Sequence, residues 1–163
     1  MEKWIPAAMC ALLLCGCAPQ SWETVTDVYE PVTLTSAEAT VALPEDACVH
    51  TLSSDEGTLY LCQGYEIALL TLPGGNLDAT VREVTGYSLS DLAAVQTARG
   101  SAQCTQCAFS CQSEDGDTVG RLTVLDDGLF HYCLCLTALA GDAGALQATW
   151  QAISDSFAIG SAA

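Results

Sequence analysis

Positive charge is almost missing from this chain. Lys3, Arg82, Arg99 and Arg121 are the four basic residues among 163, against 20 acidic ones, for a formal net charge of −16. Nucleic-acid binding needs clustered cations that displace counterions from phosphates, and the sequence has no such cluster. Direct adsorption to anionic lipid is disfavoured on the same ground. Long hydrophobic runs are also missing. The N-terminal stretch from Ile5 to Leu14 is interrupted by Pro6 and falls well short of the roughly 20 apolar residues that a membrane-spanning helix needs. Histidine occurs only at His50 and His131, so imidazole chemistry has two places to start. There is no Gly-rich phosphate loop, no Gly-x-Ser-x-Gly elbow and no His-Glu-x-x-His, and no motif calls for a cofactor.

Cysteine, by contrast, is abundant, with ten in the chain. Two of them close the N-terminal apolar stretch as Leu14-Cys15-Gly16-Cys17, behind Lys3. A short apolar segment with a positive start is a secretory signal rather than a membrane span. These residues resemble a bacterial lipoprotein signal, with Leu14 at −3, Gly16 at −1 and Cys17 at the lipidated position. The resemblance implies removal of residues 1–16, acylation of Cys17, and an extracytoplasmic protein lipid-anchored to the bacterial cell membrane. Its partners would be that membrane, through the lipid, and an envelope protein or small ligand.

Residues 17–45 read as the lipidated N-terminus and a tether, because Pro19, Pro31 and Pro44 are scattered among Thr, Ser and acidic residues. Residues 46–160 read as one α+β domain. Thr58 to Cys62 and Tyr65 to Leu72, split by Gln63-Gly64, are a strand pair. Asn76 is a helix N-cap, with Leu77, Val81 and Val84 on one stripe and Gly86 at the end. Ser88 and Asp91 mark a second short helix. Residues 93–99 fit helix or strand. A meander then runs through Cys107 to Cys111, Thr118 to Leu125 and Leu129 to Ala138, with Asp127-Gly128 a strong hairpin turn. Phe130, Tyr132, Leu134 and Leu136 share one face and form core. Leu146, Trp150, Ile153 and Phe157 recur at helical spacing in a last amphipathic helix that starts near Asp142 and ends near Gly160. The expected fold is an antiparallel sheet packed by this C-terminal helix and by one or two short helices. The element order and the terminal helix with Trp150 and Phe157 resemble PsbP-like α+β sandwiches.

Two clusters carry candidate chemistry. His131, Cys133 and Cys135 alternate onto one face of a strand, opposite the apolar one. With Cys104 and Cys107 they would make a soft nitrogen and sulfur site of the zinc type, or a redox site. One regular strand, however, would send Cys104 and Cys107 to opposite faces. The acidic turns at Glu114, Asp115 and Asp117, and at Asp126 and Asp127, offer oxygens for calcium but match no complete calcium loop. With Cys17 acylated, Cys48, Cys62, Cys104, Cys107, Cys111, Cys133 and Cys135 remain. Export permits disulfides among them, and an odd number leaves at least one thiol free. A reducing habitat would equally leave all of them as thiols. The leading functional expectation is a non-enzymatic envelope module that presents an exposed apolar or concave patch. The metal or redox site is the alternative, and a hydrolase with an unfamiliar site is a third reading.

Overall fold

The computed structural model describes residues 34–50, 57–113 and 116–160. The lipobox, Cys17, the first half of the tether and the Glu114-Asp115 turn lie outside these residues. From Leu34 onward the chain forms one compact unit.

Its strands are β1 (Ala39–Thr40), β2 (Cys48–Val49), β3 (Gly57–Cys62), β4 (Tyr65–Pro73), β5 (Ala93–Arg99), β6 (Ala102–Ser113), β7 (Gly116–Asp126), β8 (Phe130–Leu139) and β9 (Ala158–Ile159). Two helices, α1 (Leu77–Thr85) and α2 (Ala143–Ser156), and a 3₁₀ turn at Leu89–Asp91 complete the unit. Seven strands form one antiparallel sheet in the order β2-β3-β4-β8-β7-β6-β5, while β1 pairs with β9. The fold is therefore α+β and dominated by antiparallel sheet. Residues 93–99 are strand.

Side chains alternate along β8, and both of its faces are buried. Tyr132, Leu134 and Leu136 pack with Trp150 and Ile153 of α2 and with Phe157. Cys133 and Cys135 pack on the other face with Val81 of α1, Leu122, Val124 and Leu72, flanked by Leu77, Val84 and Leu89. The short helix covers this second face because its caps hold it in place. Asn76 Oδ1 accepts from the Asp78 and Ala79 N–H groups, and Gly86 closes the helix at φ 80°, a left-handed conformation that glycine adopts without a Cβ penalty. Asp78 Oδ1 then accepts from the Leu89 N–H, and Arg82 reaches Ser88 Oγ, so the 3₁₀ turn is strapped to α1.

Two expected boundaries move. Residues 34–45, assigned by composition to the tether, belong in part to the fold. Ala37, Ala39 and Val41 pack against the core, the Ala37 N–H donates to Tyr132 Oη, and the Gly160 N–H donates to the Glu38 carbonyl. The last helix stops at Ser156 rather than near Gly160. Phe157 is extended at φ −70°, ψ 121°, and the chain leaves the helix to pair β9 with β1. Ser156 Oγ secures the exit by donating to the Ile153 carbonyl and accepting from the Ala42 N–H.

Candidate functional site

Strand β8 places His131, Cys133 and Cys135 on the α1 side of the sheet, as its alternation predicts. The register decides which other thiols join them. Cys107 pairs with Leu122, which pairs with Cys135, so Cys107 shares their face. Cys104 pairs with Leu125, which pairs with Tyr132, and it packs in the core on the α2 side. The five-residue set is therefore split by the sheet itself, and Cys104 drops out. Among the described residues, no group of three or more His, Cys, Asp or Glu side chains is arranged to hold a metal ion. The expected face is not open either, because α1 and the 3₁₀ turn bury it.

The three thiols that share this face are also hard to ionise. Burial pushes both Cys133 and Cys135 up to about 12, reinforced at Cys133 by Cys135 and at Cys135 by Cys107. Burial also raises Cys107. A nucleophilic cysteine needs its thiolate, and burial opposes forming one at these side chains. All seven cysteines from Cys48 to Cys135 are unpaired.

His131 is fully buried. Its Nδ1 lies 2.7 Å from Thr80 Oγ1, and its Nε2 lies 3.6 Å from Asp126 Oδ2. The second separation is too long for a hydrogen bond, which leaves Nε2 unpartnered. The order hydroxyl, imidazole, carboxylate is that of a nucleophile triad, but Thr80, on the inner side of α1, and His131 are both buried. What the arrangement does is tie α1 to β8.

The acidic turn at Asp126 and Asp127 is also occupied internally. Asp126 Oδ1 accepts from the Gly128 N–H, and Asp127 Oδ1 accepts from the Leu129 and Phe130 N–H groups. Tyr132 Oη donates to Asp127 Oδ2. Burial alone would raise the Asp127 carboxyl, but these donors outweigh it and hold the group below its usual range. Its oxygens cap a hairpin rather than wait for a cation.

An open feature lies at the far end of the same face. A cleft of about 410 Å³ runs over the ends of β3, β4, β7 and β8. Leu61, Glu66, Thr118, Thr137 and Leu139 line it from the α1 side of the sheet, with Tyr65 at its edge. Leu61 and Leu139 are 38% and 48% exposed. Tyr65 is pushed up to about 12 by burial and by the neighbouring Cys62, so its hydroxyl stays protonated and able to donate. Sequence reasoning missed these residues. Their alternation marks strands, but only the register brings the ends of four strands together.

No protein-family model matches the sequence, and the comparison with curated proteins found no match. Solved structures are similar in fold. A PsbP protein of the cyanobacterium Synechocystis, CyanoP, superposes with a TM-score of 0.51 at 8% identity, covering 80% of this chain and 96% of that one. A Bacteroides thetaiotaomicron protein gives 0.50 at 11% identity, covering 75% of this chain. This chain spans only 45% of that protein's length. LpqN of Mycobacterium tuberculosis, a protein involved in cell envelope biogenesis, gives 0.46 at 14% identity, covering 76% of this chain and 84% of that one. At such identities the likeness is one of fold alone: the described chain is similar in architecture to a PsbP-like α+β domain.

Proposed function

We propose that this chain is a lipid-anchored, extracytoplasmic lipoprotein of a bacterial envelope whose folded unit is a non-enzymatic binding module. The observation that carries the binding reading is the cleft with its exposed Leu61 and Leu139. Apolar side chains set in a concavity, with a few polar groups at the margin, are the usual make-up of a binding site. His131, Cys133 and Cys135, the candidates for chemistry, are buried, and burial keeps the two thiols protonated. The anchor rests on Leu14, Gly16 and Cys17. In this reading Cys17 carries the lipid, and the residues between it and Leu34 are the tether. The net charge of −16 makes the lipid necessary, because the domain cannot hold itself on an anionic surface.

The anchor and the cleft are tested together in intact cells. Cys17→Ser should move the protein out of the membrane fraction and abolish its labelling by radioactive palmitate. Leu61→Lys with Leu139→Lys should leave the anchor and the fold intact but release whatever co-purifies with the wild-type chain from envelopes. Membrane retention of Cys17→Ser would overturn the anchor. Unchanged co-purification by the double variant would overturn the cleft.

A further inference from the structure

We propose that β5 is a docking edge, to which an extended basic segment of a partner protein adds as an eighth strand of the sheet. This goes beyond the cleft reading and stands on a different part of the molecule.

The ladder shows what β5 offers. Arg99 and Ala102 face each other across the two-residue turn Gly100-Ser101, so they form the hydrogen-bonded pair that closes the hairpin. Alternation along an antiparallel ladder then turns Arg99, Thr97, Val95 and Ala93 inward to β6. It directs the N–H and C=O groups of Ala94, Gln96 and Ala98 outward. Among the described residues these outward groups have no backbone partner. The row of free donors and acceptors from Ala94 to Ala98 extends about 14 Å at 3.4 Å per residue.

Sheets usually defend such an edge with proline, charge, a bulge or shortness. The opposite edge, β2, has only two residues. Strand β5 has seven, Ala93-Ala94-Val95-Gln96-Thr97-Ala98-Arg99, with no proline and no charge before its last residue. Residues 93–98 are all exposed, Val95 to 61%. Arg99 is no guard, because its guanidinium donates to the Ser154 and Phe157 carbonyls.

Charge selects the occupant. A second copy would bring another chain of net charge −16 close to this one, and net like charge opposes self-association. A basic segment is favoured by the same field. It also meets a local partner: Asp91 lines a depression with Tyr87 and Leu92 at the start of β5. On the α2 side, Ala93, Gln106, Arg121, Thr123 and Gln151 line a second depression of about 190 Å³, where Arg121 favours an uncharged side chain of the incoming strand over a lysine. Strand addition draws its affinity from main-chain bonds and its specificity from alternate side chains seated in such depressions.

The test uses the full chain in detergent and a synthetic peptide of alternating lysine and valine, seven residues long. Its glutamate-valine counterpart and an alternately N-methylated copy serve as controls. Fluorescence anisotropy should show binding of the lysine peptide at least tenfold tighter than either control. Amide exchange should slow at Ala94, Gln96 and Ala98 when the lysine peptide binds. Gln96→Pro removes an outward donor without touching the β6 ladder, and Val95→Lys blunts the edge without altering the backbone; each should weaken binding at least tenfold. Equal binding of the N-methylated peptide, or no protection at the three amides, would reduce the effect to ionic adsorption and overturn the proposal. Protection of those amides by self-association alone, seen as a dimer in sedimentation, would assign the edge to a second copy and overturn it too.

Discussion

At the scale of single residues, the sheet is shaped by close pairs that composition does not display. Gly120 and Phe109 face each other across β6 and β7. The Phe109 ring lies over the glycine so closely that a Cβ there would fall within it. Space, not backbone conformation, is what Gly120 supplies. Gly120→Ala should therefore destabilise the fold by about 1–3 kcal/mol, the usual range for overpacking. The double variant with Phe109→Ala should lose less than the sum of the two single losses, because the ring that collides has gone. Urea denaturation of the four proteins measures this coupling. The same local crowding explains the cysteines. Cys107, Cys133 and Cys135 are small side chains filling the space under α1 and the 3₁₀ turn. Their pattern in the sequence suggested ligands, whereas their packing makes them core.

At the scale of elements, what the sequence revealed was whatever depends on near neighbours. The caps of α1, the hairpin at Asp127-Gly128 and the apolar face of β8 each rest on residues within a few positions of one another. The docking of residues 34–45 rests on partners more than 90 residues away, such as Ala37 with Tyr132, and proline-rich, polar composition gave no sign of it. For the same reason local composition does not mark the end of α2, since pairing of β9 with β1 terminates the helix. Of the candidate site, the alternation of β8 was legible, but the burial of its second face was not. That burial depends on where a nine-residue helix lands. Tyr132 is the link between the N-terminal segment and the sheet, accepting from the Ala37 N–H at 2.9 Å and donating to Asp127 at 3.0 Å. Tyr132→Phe leaves the Ala37 donor unpaired and should cost about 1–3 kcal/mol. Amide exchange should speed up at residues 37–41 more than along β8. Equal acceleration in both would mean that the segment and the sheet open together.

At the scale of the whole molecule, buried thiols couple the fold to alkaline pH. Cys133 and Cys135 are raised from 9.0 to about 12. In the folded chain they remain neutral across the interval between those values, while in the unfolded chain they ionise near the lower one. Below pH 9 both states hold the protons, and the thiols add no pH dependence. Above it the unfolded state binds fewer protons than the native one, so stability falls as pH rises. Each group contributes up to about 1.4 kcal/mol per pH unit. Cys62 and Cys107, also raised from 9.0 by burial, act in the same direction, while Tyr65 and Tyr132, raised from 10.0, join only above pH 10. The interval from pH 9 to 10 therefore reports thiols, and a double variant separates Cys133 and Cys135 from the rest. Urea unfolding at pH 8, 9 and 10 in the presence of reductant should show stability level at first and then falling. The Cys133→Ala, Cys135→Ala double variant should start less stable, because two packed side chains are truncated, but its profile should be flatter over the same interval. A wild-type profile no steeper than that of the double variant would mean that these thiols ionise as readily in the fold as outside it, and that the face beneath α1 is open to water.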